Sequence, residues 1–273
     1  MKRDIPQISG VVVFGLILAG WMMAPAQVRV DDEPHPTVTD IEGNVYPIVK
    51  IGEQWWMAEN LRTTRFADGS PIPTGFDEEE WELLTEGAYA VYPHTGGESE
   101  DDVEGIGSDE EMLRAYGALY NWYAVNDPRG LCPEGWHVPG DEEWMVLEDF
   151  IGLDFRELKL LGWRGRAEGG KLKSTRLYPE PHPRWDIPNE GANDEHGWAA
   201  LPGGARSYAF RLIGAGGYWW TSSECYWPEF NVVEDTKFAR YRSLHYLDPT
   251  IFRGPHEYHV RKWAGFSVRC IKD

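Results

Sequence analysis

One stretch of this chain restricts its fold more than any other, namely residues 131–144, LCPEGWHVPGDEEW. It contains a cysteine, a rigid Pro-Glu-Gly turn, a short aromatic strand and the start of a helix. A second stretch, GFSVRC at 265–270, lies at the far end of the chain and also carries a cysteine. If Cys132 is joined to Cys270, the two stretches together predict one closed domain.

The abundance of glycine, proline and tryptophan argues against a coiled coil or a helical bundle. The chain has 30 Gly, 19 Pro and 14 Trp among its 273 residues. Glycine and proline interrupt regular helices, and large rings fill the space between short strands. The composition therefore favours a loop-rich fold with a sizeable aromatic core.

The first 26 residues have the order of a secretory signal peptide. Basic residues at 2–3 precede an apolar run at 11–23, and Ala-Pro-Ala at 24–26 suits cleavage after Ala26. The run is shorter than the roughly 20 apolar residues that span a bilayer. We therefore expect a signal peptide at 1–26, a linker at 27–36 and no transmembrane span in the mature, exported chain. An uncleaved membrane anchor is the alternative.

Most of the negative charge of the chain is concentrated in one region. The formal net charge is −19, and residues 76–112 contain 14 acidic residues but no lysine or arginine. A nucleic-acid-binding protein needs a clustered basic face, so this function is excluded. We interpret the part at about 93–111 as a solvated acidic loop. The alternatives are a segment that binds basic partners and a loose divalent-cation site.

The apolar pattern predicts several short elements. A hairpin is expected from a strand at 45–51, a turn at Gly52-Glu53 and a return strand at 54–57. One helix is expected over 112–125, and another begins near residue 140 or 141, with Trp144, Leu147, Phe150 and Ile151 on its buried face. Further strands are predicted at 198–201, 217–223, 237–246 and 265–271.

Three cysteines in an exported chain leave one thiol over after a single disulfide. We favour the pair Cys132 and Cys270, although their spacing does not prove it. Cys225 would then be buried as a small apolar residue or available to another chain.

Seven segments, taken in order, resemble the Fibrobacter succinogenes major paralogous domain family: DIEGNVYPIVKIGEQWWMAENL, AYGALYNWYAVN, LCPEGWHVPGDEEWMVL, GGKLKS, GWAALPGG, GGYWWTSSE and GFSVRC. The resemblance covers nearly all of residues 37–273, so it implies one domain there. It also supports the Cys132–Cys270 pair. Gly140 stands where a Ser or Thr helix cap is usual, and glycine weakens a cap by only a few tenths of a kcal/mol.

This family resembles the C-type-lectin-like, sulfatase-modifying-factor-like fold that is shared with formylglycine-generating enzyme. The implied architecture is α+β, irregular and loop-rich, with two helices, short antiparallel sheets and paired termini. Members are typically exported bacterial proteins, so the resemblance implies a secreted protein or one at the cell envelope, in the periplasm or on the outer surface.

The sequence lacks two catalytic patterns, a copper-binding cysteine pair and a serine-hydrolase nucleophile elbow. Formylglycine-generating enzymes hold copper with a cysteine pair, whereas Cys225 has no cysteine near it in the chain. There is no G-x-S-x-G nucleophile elbow, and hydroxyls such as those of Ser222 and Ser223 in an aromatic strand usually bond to backbone groups. We expect a non-enzymatic protein. The alternatives are an oxidoreductase like formylglycine-generating enzyme and an envelope structural protein.

A polar, glycine-containing loop carries a candidate calcium site. Calcium takes oxygen ligands from flexible segments, and related folds carry calcium in loops of this region. The candidate ligands are Asn189, Asn193, Asp194 and Glu195. A plain polar loop is the alternative.

Residues 224–263 form the candidate binding region. They are rich in Tyr, Trp, Arg and His, which give large contact areas with a polar group at the tip. The candidate ligand-binding residues are Trp227, Arg240, Tyr241, Arg242, His245, Tyr246 and Tyr258. We expect the partner to be a protein or a glycan outside the cytoplasm, and the alternative is that these rings pack an irregular core.

Overall fold

A tight hairpin opens the fold as the sequence predicts. The structure, a computed structural model, describes residues 36–95, 103–225, 238–254 and 260–273. The predicted signal peptide and residues 96–102 of the acidic loop lie outside this range. Strand β1 (Thr37–Thr39) is followed by β2 (Val45–Ile51) and β3 (Gln54–Met57), and β2 pairs with β3 around the predicted turn. The hairpin prediction is confirmed.

The first sheet joins the two ends of the domain. Its later strands are β6 (Trp136–His137) and β13 (Ile271–Lys272), and the order among the described residues is β1-β2-β3-β13-β6. A disulfide between Cys132 and Cys270 lies beside these strands, with 6.0 Å between the two Cα atoms. The predicted pairing is therefore confirmed, and it closes the domain next to its terminal strands.

The described residues contain four helices rather than the two that we expected. They are α1 (Glu78–Glu82), α2 (Asp109–Tyr116), α3 (Trp122–Val125) and α4 (Asp141–Phe150). The predicted helix over 112–125 is wrong in its middle, because Gly117 adopts φ +81° against the backbone of residues 60–61. There β5 (Leu119–Tyr120) pairs with β4 (Tyr89–Ala90). Pairing with a distant strand overrides the helical pattern.

Helix α4 begins where the sequence predicts and receives its cap from another element. Gly140 has no side chain to offer, but Ser223 Oγ accepts the Asp141 N–H at 2.9 Å, and the Glu143 carboxylate accepts the Gly140 N–H at 2.8 Å. Trp144, Leu147 and Ile151 are buried as predicted, whereas Phe150 is exposed. Phe150 lies at the last turn, where it covers Gly52 instead of entering the core.

The second sheet is larger and mostly antiparallel. Its strands are β7 (Gly162–Arg164), β8 (Gly203–Arg206), β9 (Phe210–Ile213), β10 (Gly216–Glu224), β11 (Ala239–His245) and β12 (Asp248–Gly254). Their order in the described chain is β7-β12-β11-β10-β8-β9, and only β8 and β10 run parallel.

The strands predicted for this half of the chain are partly confirmed. Those expected at 217–223 and 237–246 correspond to β10 and β11. The strand expected at 198–201 is wrong, since that segment forms only an isolated bridge at Ala200. Of the strand expected at 265–271, only Ile271 lies in a strand, β13, and residues 265–267 form single bridges. Short strands depend on distant partners, which the local pattern does not reveal.

Tryptophans fill the core next to α4 and the two sheets. Trp198 makes edge contacts with Trp56, Trp144 and Trp219 at ring separations of 5.1–6.3 Å. The buried Arg269 lies 4.0 Å above the Trp198 ring, and its Nε donates to Asn60 Oδ1 at 3.0 Å. The closing GFSVRC segment is therefore tied to the hairpin. The described chain is an α+β, loop-rich domain, as expected.

Candidate functional site

The expected ligand-binding residues that the structure describes lie in strand β11 or directly after it, and successive side chains of that strand point to opposite faces. Trp227 and Tyr258 lie outside the described residues. Only 4% of Tyr241 and 1% of Arg242 is exposed, so neither side chain reaches the surface and their predicted role in binding is wrong. Both faces of this strand are covered by other elements. Arg240, His245 and Tyr246 are partly exposed, and their role remains a prediction.

The arginine face of β11 buries a network of charges against α4. Glu148 is fully buried and receives two hydrogen bonds from Arg164, at 2.6 and 2.9 Å. Arg242 Nε donates to the same carboxylate at 2.5 Å. A bidentate pair of this kind is strong and geometrically specific. Glu148 therefore fixes helix α4 on strands β7 and β11.

A second carboxylate completes this network at the start of α4. Asp141 accepts hydrogen bonds from Arg253 at 2.6 Å and from Arg242 at 2.8 Å. Burial opposes ionisation of Asp141, but the two guanidinium groups hold the pKa of its carboxyl well below the usual range. Arginine does not release its proton at ordinary pH. The network is therefore suited to holding the helix and not to acid–base catalysis.

The opposite face of the sheet carries aromatic rings that reach the surface at its edge. Phe252 in β12 lies directly across from Trp163 in β7, and their ring centres are 5.2 Å apart. Tyr241 packs behind Phe252 at 5.7 Å. Trp163 is 48% exposed on an edge strand. We call Trp163 and Phe252 the aromatic platform; their rings meet edge to face, with 68° between the two planes, so the exposed flat surface is that of Trp163.

Sequence reasoning missed Trp163 because it lies outside the 224–263 region. The available signal was the alternation Gly162-Trp163-Arg164, in which successive side chains of a strand point to opposite faces. The structure shows this arrangement, since Arg164 is buried against α4 and Trp163 is exposed. A three-residue strand is too short for such a pattern to be convincing without its partner.

The loop that we expected to bind calcium is held by a lysine. Lys173 is fully buried, and its Nζ donates to the carbonyl oxygens of Glu190, His245 and Asp248 at 2.7, 3.0 and 3.2 Å. Burial lowers the pKa of Lys173 to about 8, so the amine stays charged at neutral pH. This ammonium group joins the 189–195 loop to the tip of the β11–β12 hairpin.

The predicted calcium ligands make other contacts. Asn189 Nδ2 donates to the Ser174 carbonyl at 2.9 Å, and Asn193 Oδ1 accepts the Glu195 N–H at 3.2 Å. Asp194 Oδ1 accepts the Ala199 N–H at 2.8 Å. Glu195 pairs with Lys171 at 3.5 Å. Within the described ranges, no three His, Cys, Asp or Glu side chains form a metal site. Asparagine and carbonyl oxygens can also bind calcium, so the calcium site remains a prediction.

Replacing Lys173 with methionine should lower the free energy of unfolding by about 2–3 kcal/mol. The variant keeps the aliphatic stem but leaves three carbonyl oxygens without a charged donor. Urea unfolding would measure the loss, with Lys50→Met as the control, because Lys50 is an exposed lysine that pairs with the exposed Glu53 outside this loop. A loss no larger than that of the control would contradict this role of Lys173. A melting temperature that calcium raises in the wild type but not in Asp194→Asn would support the predicted calcium site.

The cysteines leave one thiol in the chain. Of the three, Cys132 and Cys270 form the disulfide, and Cys225 is buried at the end of β10. A copper site made of two thiolates cannot form within one such chain. Ser223 Oγ, two residues earlier, accepts a backbone N–H from α4, as expected for a hydroxyl in this strand.

The family comparison covers most of the domain. The model for the Fibrobacter succinogenes major domain matches residues 49–272. No curated protein and no solved structure matches the chain. In the part of the chain that the structure describes, no helix has the length and apolar character needed to cross a membrane. The family match includes both disulfide cysteines, the capped helix α4 and both sheets from residue 49 onward. The chain therefore belongs to the Fibrobacter succinogenes major domain family.

Proposed function

We propose that this protein is an exported, non-enzymatic domain of C-type-lectin-like fold that binds a carbohydrate at the bacterial cell envelope. Three observations support the lectin-like fold. The first and last parts of the domain share one sheet, a disulfide closes them, and a long irregular region lies between the two ends. The charged leader and apolar run at residues 2–23 support export.

The aromatic platform carries the proposal that the ligand is a carbohydrate. Flat rings stack against the C–H faces of sugars, and tryptophan provides a large contact area with few rotatable bonds. Phe252 and the buried Tyr241 hold Trp163 from behind, so little side-chain entropy remains to be lost on binding. The platform has two rings, whereas a stable protein interface buries about 800 Å² per partner. Its size therefore suits a sugar better than a folded protein.

A glycan array probed with the wild type and Trp163→Ala tests this proposal. We expect the variant to bind at least about tenfold more weakly, since removing a central aromatic hot spot costs about 2 kcal/mol or more and about 1.4 kcal/mol is already tenfold. Tyr208→Ala is the matched control because Tyr208 is 59% exposed and also contacts another ring, that of Trp263. This control should bind like the wild type.

Two outcomes would contradict the proposal. One is a wild-type protein that is folded but binds no glycan on the array, including envelope polysaccharides. The other is undiminished binding by Trp163→Ala. If immobilised envelope proteins are bound and glycans are not, the ligand class is protein and the carbohydrate assignment is wrong.

A further inference from the structure

A pocket that shares no residue with the aromatic platform is lined by three arginines. It encloses about 360 Å³ between the segment after β3, the end of α2 and the loop after Lys173. One water occupies about 30 Å³ of liquid, so this space suits a molecule the size of a sugar or an amino acid. Arg62, Arg114 and Arg176 line it, with Glu59 as its only acidic residue. Each arginine also meets one glutamate, so the pocket offers guanidinium donors and not a net positive charge.

Arg62 is the best anchored of the three arginines. Its Nη1 donates to Glu59 at 2.8 Å and its Nη2 to the Val45 carbonyl at 2.7 Å. The guanidinium also lies 4.4 Å above the ring of Tyr46. These contacts fix the side chain before any ligand arrives, so a ligand would not have to order it.

Arg114 and Arg176 each pair with a glutamate at the exposed rim of the pocket. Arg114 donates to Glu110 at 3.0 Å, and Arg176 lies 3.6 Å from Glu180. Exposed pairs of this kind contribute at most about 1 kcal/mol, and each guanidinium has five N–H donors. Both side chains therefore keep donors that can turn towards an anion in the pocket.

The neighbouring histidine adds no charge to this pocket. Burial, together with the charges of Arg184 and Arg176, lowers the pKa of His182 to about 4. The ring is therefore neutral at ordinary pH, and its Nδ1 is hydrogen-bonded to the Tyr116 hydroxyl. Pro183, the next residue, forms part of the pocket wall.

The pocket wall also contains a buried hydroxyl that lacks a hydrogen bond. Ser174 is 5% exposed, and its Oγ has no partner among the described residues. The backbone of Ser174 is held on both sides, since its N–H donates to the Ala200 carbonyl and its carbonyl accepts from Asn189. A buried polar atom without a partner is costly unless a ligand or water supplies one. Since the Ser174 Oγ is itself inaccessible to solvent, Ser174 belongs to the wall of the pocket and not to its ligand contacts.

From these features we infer that the pocket binds a small organic oxyanion, a carboxylate or a phosphate on a compact and partly apolar body. The arginine forks match the planar geometry of oxyanions. Apolar walls at Ala58, Ala115 and Leu201 would contact the body of the ligand. The adjoining pocket shares Arg62 and Arg114 but also contains Glu42 and Glu110, so the anionic group belongs on the Arg176 side.

Isothermal titration of the full chain with D-glucuronate, D-glucose 1-phosphate and D-glucose tests this inference. At least one of the two anions should bind, and at least tenfold more tightly than the uncharged sugar. The better of the two distinguishes a carboxylate from a phosphate ligand. Binding should weaken as salt is added, because the pocket and its rim are open to solvent.

Substitutions identify the site. Arg176→Gln should weaken anion binding at least fivefold, because it removes a guanidinium charge from the pocket wall. Arg156→Gln is the matched control, because Arg156 is an exposed arginine that pairs with Asp154 outside this pocket. Its binding should be unchanged.

The inference fails if neither anion binds the folded protein, if D-glucose binds equally well, or if Arg176→Gln retains wild-type affinity. It does not depend on the proposed carbohydrate function. Trp163→Ala should leave anion binding intact, and Arg176→Gln should leave glycan-array binding intact, so the two proposals can fail separately.

Discussion

Glu148→Gln should lower the free energy of unfolding by about 3–5 kcal/mol, although it only replaces one carboxylate oxygen with an amide nitrogen. Glu148 is fully buried and is the only carboxylate among the described residues that pairs with both Arg164 and Arg242. Glutamine has nearly the same volume, so no cavity forms. The variant leaves the buried Arg164 without its counter-charge and Arg242 with Asp141 alone, and breaking a buried pair in this way is strongly destabilising.

Glu142→Gln on the same helix is the matched control. Glu142 is exposed, and exposed substitutions usually change stability by less than about 0.5 kcal/mol. Urea unfolding followed by tryptophan fluorescence would compare the two variants. A loss below about 1 kcal/mol for Glu148→Gln would mean that the buried network does not hold helix α4 on the second sheet.

Removing the disulfide should lower the free energy of unfolding by roughly 3–5 kcal/mol. Cys132 and Cys270 are 138 residues apart, so their bond closes more than half of the domain into one loop. The entropy that such a cross-link removes from the unfolded chain increases with loop length. The double variant Cys132→Ala/Cys270→Ala therefore unfolds at a much lower urea concentration than the oxidised wild type.

Cys225→Ala separates this effect from the loss of a buried thiol. Because Cys225 is outside the disulfide, this variant should remain sensitive to reduction. Dithiothreitol should lower the unfolding midpoint of the wild type and of Cys225→Ala, but not that of the double variant. If the reduced and oxidised wild type unfold at the same midpoint, the cross-link contributes nothing to stability.

The features that sequence predicts correctly depend mainly on neighbouring residues or on a recognisable ordered pattern. The hairpin at 45–57 follows from two short apolar runs on either side of the Gly52-Glu53 turn. The start of α4 follows from the acidic residues at 141–143, which a helix N-terminus favours. The disulfide is a long-range feature, but both of its cysteines lie in segments that match the family.

The features that sequence reasoning missed depend on contacts between distant segments. A helical pattern runs through Gly117, yet the close approach of residues 60–61 and the pairing of β5 with β4 interrupt it. The calcium prediction counted oxygen atoms in one loop and did not foresee that Lys173 would bind that loop from outside. The three arginines of the oxyanion pocket come from three separate segments.

Strand β11 shows most clearly what the sequence determines and what only the tertiary structure determines. Its sequence, with Arg and Tyr alternating, determines that arginines face one side and tyrosine the other. It does not determine that both sides are covered, because arginine is usually exposed unless it is paired. Glu148 and Asp141 on α4 supply that pairing, and they lie about 100 residues earlier in the chain. The sequence alone thus determined the family and the α+β class, and it favoured the disulfide pair that the structure shows. Only the tertiary structure decided which polar side chains are buried and which rings reach solvent, since burial depends on partners from elsewhere in the chain.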